Sequence, residues 1–260
     1  MKFSMVPLLY LIQIVAIYRA TRNTHVLGQI SASQNKQIVL ILAVLTLWGG
    51  LSAYLGISGY YQSEGFLSSL PGLWIPQIPV LMVMIPWLAS KTLRQGIDKI
   101  IDQTPLHFIM AFEGLRIFAL GGIIKGYTGE FSLFFAKFVG IPDFLYGVTT
   151  LIAAVLIYKG VWKEKSAIII NLIGFIIAGP LAMILINVGL PGAMYMIEES
   201  PSLQTIFELP MALAPTLVVP IFVMVNLLVA LRLIKRLRTD QGESLNRSEK
   251  VKVLPLESIS

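Results

Sequence analysis

Glu113 and Arg116 stand three residues apart inside one apolar stretch, and Asp143 opens the next, in Gly140-Ile141-Pro142-Asp143. On a helix, positions three apart share a face, so this carboxylate and guanidinium can pair. An ionisable side chain at mid-bilayer costs about 2.5–3.5 kcal/mol even on the gentlest insertion scale. Three such groups therefore need mutual pairing, a water-filled cavity or a function. If all three meet, one negative charge is left over, able to accept a proton or hold a cation. Two readings follow. The cluster is either an ion pair that fixes helix packing, or a site with a ligand or proton role.

Neutral polar residues mark the other apolar stretches. Gln77, Asn171 and Asn226 are candidate cavity-lining residues, together with His107 near the start of its stretch. Gln13 and Asn187 fit helix-to-helix hydrogen bonding, worth about 0.6 kcal/mol on average in membranes. A lone histidine is a poor metal ligand, and no metal or cofactor is expected. Cysteine is absent, which excludes disulfides, thiolate nucleophiles and cysteine-held metals.

The elements that position these residues follow from composition. Apolar types make up 56% of the 260 residues, charged types only 13%, and mean hydropathy is +0.78. A chain this apolar reads as a polytopic, all-α membrane protein. Its apolar stretches predict a seven-helix transmembrane bundle over Phe3–Tyr18, Gln37–Leu55, Leu73–Ala89, Leu106–Ile124, Ile141–Tyr158, Ala167–Leu190 and Pro210–Leu233. The first run follows Lys2 but ends Ala16-Ile17-Tyr18-Arg19, bulky where a signal-peptide cleavage site needs small residues. It is expected to be a retained helix. Residues 1–238 form the bundle in this reading, and 239–260 a polar, disordered cytoplasmic tail.

Basic residues alternate along the connections. Arg19, Arg22 and Lys36 lie in the first, Lys91, Arg94 and Lys99 in the third, and Lys159, Lys163 and Lys165 in the fifth. The alternate connections are poor in base: the second has none, the sixth only Glu198, Glu199 and Glu208, and the fourth Lys125 and Lys137 with Glu130. This places the N-terminus outside and the C-terminus in the cytoplasm. The net charge of +6 is thus topological and implies no nucleic-acid partner. The expected setting is the cell (plasma) membrane, specifically the bacterial cytoplasmic membrane.

Three connecting segments read as helices lying at the membrane surface. Leu93, Ile97, Ile100 and Ile101 share a face of Lys91–Gln103. Phe131, Phe134, Phe135 and Phe138 repeat at helical spacing. Ser200-Pro201 reads as an N-cap with proline at the first helical position, opening a turn through Leu203, Ile206 and Phe207. Prolines punctuate the third, sixth and seventh stretches, where each frees a carbonyl and kinks its helix. Gly121-Gly122 and Gly147 are expected to allow close helix approach.

Comparison with familiar seven-span proteins is mostly negative. Lys235 lies too near its helix end for a retinal Schiff base, and the last stretch lacks an Asn-Pro-x-x-Tyr signature. Pro76-Gln77 has no second copy, as the PQ-loop carriers require. No Gly-x-Ser-x-Gly, paired histidines or paired glutamates suggest an intramembrane protease. The stretch Glu113-Gly114-Leu115-Arg116, Gly121-Gly122, Phe134-Phe135-Ala136 and Gly140-Ile141-Pro142-Asp143-x-x-x-Gly147 resembles a group of uncharacterised bacterial integral membrane proteins. The resemblance covers about 35 residues. It implies a shared pattern at Arg116, Asp143 and Gly147, with Glu113 standing where glutamine is usual, and it brings no activity.

The function classes compatible with this are a small-solute or proton/cation-linked transporter using the cluster, a sensor or subunit in which it is structural, and a membrane enzyme acting on lipid. The last lacks a nucleophile and a metal-ligand set, so the expectation is no enzyme. The partners expected are the lipid bilayer and a small solute or cation.

Overall fold

The structure, a computed structural model, describes the backbone of residues 4–252 and the side chains of residues 4–239. Among these the chain is all-α, without strands. A first helix, α1 (Val6–Val26), is 21 residues long, has Pro7 in its first turn, and carries Arg19 and Arg22. Six further helices are long and apolar enough to cross a membrane. They are α2 (Ala32–Ile57), α3 (Pro71–Ala89) and, past the short amphipathic α4 (Lys91–Gln103), α5 (Leu106–Tyr127), α6 (Leu133–Tyr158), α7 (Glu164–Val188) and α8. The apolar stretch of α8 is Ala214–Thr239, and its helix runs Val219–Lys252. The polar tail expected from residue 239 falls mostly outside the described residues; helical backbone continues to Lys252.

α8 is the axis. Of its most apolar stretch 61% is buried, against at most 39% for any other span, so the remaining helices pack around it. Its entry is a π turn at Ala214–Val218. Pro220 has no N–H for the carbonyl four residues back, and the Trp48 indole on α2 donates to that Thr216 carbonyl at 2.8 Å. Gln13 on α1 donates to the Val218 carbonyl at 3.1 Å, and Ser52 to the Thr216 hydroxyl at 2.7 Å. The broken entry of α8 is thus what α1 and α2 dock onto. Its freed carbonyl would otherwise be a costly buried polar atom.

Of the three connecting segments, Lys91–Gln103 is the amphipathic helix expected and the other two differ. Ser90 caps α4 by accepting from Leu93 N at 3.2 Å, and Leu93 is buried against Ile30 and Ile38. α4 therefore packs on the bundle. Its acidic side is ion-paired to α8: Arg232 holds Asp98 and Asp102, Lys235 approaches Asp98, and Arg236 bridges Asp102 to Glu164. The phenylalanine segment is no separate helix, because Leu133–Tyr158 forms one apolar span through a π turn at Ala136–Gly140. Ser200-Pro201 is not a cap either. The 3-10 turn Leu203–Phe207 begins after Ser202 and buries Leu203, Ile206 and Phe207. Phe207 meets Phe66 edge-on at 5.1 Å, closing that end of the bundle.

Candidate functional site

The cluster is built where α5 changes its winding. Leu106–Glu113 is α-helical, Gly114–Ala119 tightens to 3-10, and Leu120–Tyr127 is α-helical again. In 3-10 geometry residues three apart eclipse, so Glu113 and Arg116 stack on one side. Their closest approach is 3.9 Å, from Nη1 to Oε2. Two glycines allow the neighbouring helix to reach this point. A Cβ on Gly147 of α6 would sit 2.5 Å from the Ile117 nitrogen, and one on Gly114 would sit 2.4 Å from Leu151.

Arg116 is fully buried and ties three helices together. Its Nε donates to Asp143 Oδ1 of α6 at 2.6 Å, and Nη1 donates to the Gly174 carbonyl of α7 at 3.3 Å. The guanidinium lies over the Tyr146 ring, 4.0 Å from its centroid, a cation–π contact in a buried site. Tyr146 then donates its hydroxyl proton to Asn226 Oδ1 at 2.7 Å. Asn226 donates to Glu113 Oε2 at 2.9 Å and to the Phe222 carbonyl of its own helix, α8, at 3.0 Å. Glu113 is fully buried, and its second oxygen, Oε1, has no partner among the described residues. Asp143 is the wettest member, with its side chain 22% exposed.

Beside Arg116 and Asp143 lies a cavity of about 210 Å³. Its polar lining is Arg116, Asp143, Lys125 and Ser4, and most of the rest is apolar. Every break in the surrounding helices borders it: Ala119 from the 3-10 stretch, Gly140 from the π turn of α6, Ile177 and Ala178 from a π turn at Ile177–Leu181 in α7, and Pro215 from the entry to α8. The volume suits several waters or a small solute. Glu113 is not among its walls; it sits behind Arg116.

The structure brings together Glu113, Arg116, Asp143 and Asn226. It does not bring Gln77, His107 or Asn171, none of which lines the cavity. Gln77 Nε2 lies 3.0 Å from the Met183 sulfur. His107 packs against Tyr158, and the Asn171 amide donates to the Ala167 carbonyl of its own helix, leaving a buried oxygen without a partner. Sequence reasoning missed Tyr146, although its place three residues after Asp143 puts it on the same helix face. It also missed Gly174, whose bare Cα makes room for the Tyr146 hydroxyl; a Cβ there would lie 2.2 Å from that oxygen. Nothing local in the sequence flags the Asp98, Asp102, Arg232 and Arg236 group, which spans more than a hundred residues. Among the described residues, no group of three or more His, Cys, Asp or Glu side chains could hold a metal ion.

This is the build of an integral membrane protein: an all-α bundle with a buried polar cluster joining four helices. Residues 75–234 match the model of a family described as a domain of unknown function, DUF8737, and the chain belongs to that family. The matched region contains the whole cluster and both glycines beneath it. No curated protein matches the chain. No solved structure matches it either.

Proposed function

We propose that this protein is a carrier for a small solute, linked to a proton or cation, with the cavity beside Arg116 and Asp143 as its binding place. The observation that carries this reading is the convergence of four helix breaks on one cavity with a charged wall. Irregular backbone at membrane depth is tolerated where it is packed in protein or lines a cavity, and discontinuous helices bind substrate in many transporters. Glu113 supplies the titratable group. Its buried, unpartnered oxygen and the excess negative charge of the cluster fit a residue that gains and loses a proton.

In this reading α1 is a seventh span, the N-terminus is outside, and the end bearing α4 faces the cytoplasm of a bacterial cell. The alternation of basic connections supports that orientation. Reporter fusions at Ser63, Lys99, Gly160 and Gly242 are expected to read outside, inside, inside and inside. A reversal at Lys99 or Gly160 would remove the orientation.

The transport reading is tested at Glu113. Glu113→Gln keeps the side-chain shape and the acceptor for Asn226, so the protein should fold with a loss of about 1 kcal/mol or less. In vesicles holding a pH-sensitive dye, wild type should dissipate an imposed pH gradient and the variant should not. Equal fluxes, or none from either protein, would take Glu113 out of any transport mechanism.

A second reading, a sensor or subunit with a structural cluster, is favoured by one observation. The Arg116 guanidinium is already held by Asp143, the Gly174 carbonyl and the Tyr146 face. Neither reading makes the protein an enzyme.

A further inference from the structure

A second cavity opens at the end of the bundle where α4 lies. It has a volume of about 660 Å³ and is walled by α1, α2, α4, α5 and α8, with Val83 of α3 at its depth. Its depth is apolar, with Leu45, Val83, Phe112, Ile221 and Met224. Its rim is polar, with Arg19, Asn23, Gln103 and Thr104. Along α8 the lining runs from Ile221 to Val229, which at 1.5 Å per residue is about 12 Å. That is close to half of a hydrocarbon core of about 30 Å, the depth of one leaflet. The volume falls in the ordinary range of small-molecule sites, about 300–1,000 Å³. An apolar shaft under a polar rim fits an amphiphile.

Charge decides which amphiphile. Arg19 borders the groove, and a recess on the same helix is lined by Val15, Tyr18, Arg19, Arg22 and Asn23. Arg19 and Arg22 are both exposed and three residues apart, so they present one face. Neither forms an ion pair among the described residues. Arg232 and Arg236, by contrast, spend their charge on Asp98, Asp102 and Glu164. Two free guanidinium groups beside an apolar groove match a phosphate with an acyl chain below it, because the planar donor fork suits phosphate oxygens.

We propose that this groove is a binding site for an anionic phospholipid of the leaflet at the α4 end. Its phosphate is held by Arg19 and Arg22, and one acyl chain lies between α1 and α5 against α8. The site shares no lining residue with the Arg116 cavity, and it does not rest on the carrier reading.

Native mass spectrometry of the full chain in detergent tests it, with dioleoyl-phosphatidylglycerol and dioleoyl-phosphatidylcholine as probes. Wild type should retain the anionic lipid about thirtyfold better, as two basic groups near a lipid surface imply. R19Q/R22Q should bring the two lipids to equal retention, and both positions are exposed enough to change without disturbing packing. Ala20→Phe, which fills the groove, should lower retention of the anionic lipid while leaving both arginines in place. Equal retention of the two lipids by wild type would overturn the proposal and point to unselective lipid or to this chain's own C-terminus. A preference that survives R19Q/R22Q would overturn it in favour of another basic patch. Undiminished retention by Ala20→Phe would show that the lipid does not use the groove.

Discussion

Replacing Arg116 with methionine is expected to cost about 3–5 kcal/mol of stability, the largest effect of any single change in the cluster. The guanidinium is buried and holds α5 to Asp143 on α6 and to the Gly174 carbonyl on α7. Methionine fills much of the space, so the loss comes from charge rather than from a void. It leaves Glu113 fully buried with only Asn226 beside it. Arg116→Lys should recover only part, since an ammonium cannot make the same fork or lie flat over Tyr146. Adding Glu113→Gln to Arg116→Met should recover part of the loss by removing the stranded carboxylate. Thermal or denaturant unfolding of wild type, Arg116→Met, Glu113→Gln and the double variant measures this as a double-mutant cycle, with Arg116→Lys run beside them. A loss under about 1 kcal/mol for Arg116→Met would mean that the pair does not hold the helices together.

Gly147→Ala comes next, with an expected cost of about 3 kcal/mol, the upper end of the usual range for overpacking. The added carbon would meet the Ile117 nitrogen at 2.5 Å and the Arg116 carbonyl carbon at 2.9 Å. Both are backbone atoms, which cannot swing aside as a side chain can. α6 would have to withdraw from the 3-10 stretch, and Asp143 would be drawn away from Arg116. Gly121→Ala and Gly122→Ala are the controls. Nothing lies within 4 Å of a Cβ at either position, so neither should destabilise, and each should gain up to about 1 kcal/mol from helix propensity. Melting curves for the three variants check the contrast. Equal behaviour at 147 and 121 would show that the close approach at Gly147 carries no cost.

That contrast also marks how far the sequence could be read. Gly121-Gly122 and Gly147 look alike as small residues in apolar stretches, and all three were expected at helix contacts. Only Gly147 is at one. Gly121 and Gly122 border the cavity instead. A missing side chain says that something can come close; which backbone does so depends on how α5 and α6 are placed.

Apolar runs of helical length, in a chain with few charges, determine an all-α protein with helices fit for a membrane, and they do so locally. A stretch such as 37–55 can bury its backbone polar groups only as a helix, whatever its neighbours do. The same cost argument makes Glu113, Arg116 and Asp143 recognisable as partners, because no isolated charge is stable among such residues. The spacing of Glu113 and Arg116 needs only one helix to bring them together.

Tertiary structure decides the rest. Asn226 and Tyr146 complete the cluster from helices far apart in the chain, and no local pattern separates Asn226 from Asn171, which turns its amide back to its own helix. α4 has the pattern of an amphipathic surface helix, but only the fold shows that its apolar face packs on Ile30 and Ile38 and its acidic residues on Arg232 and Arg236 of α8. The phenylalanine segment joins α6 because a π turn lets the helix continue through Gly140. In each case the local pattern allows several environments at similar cost. Packing against a distant segment then selects one, since it alone satisfies the buried charges and carbonyls on both sides.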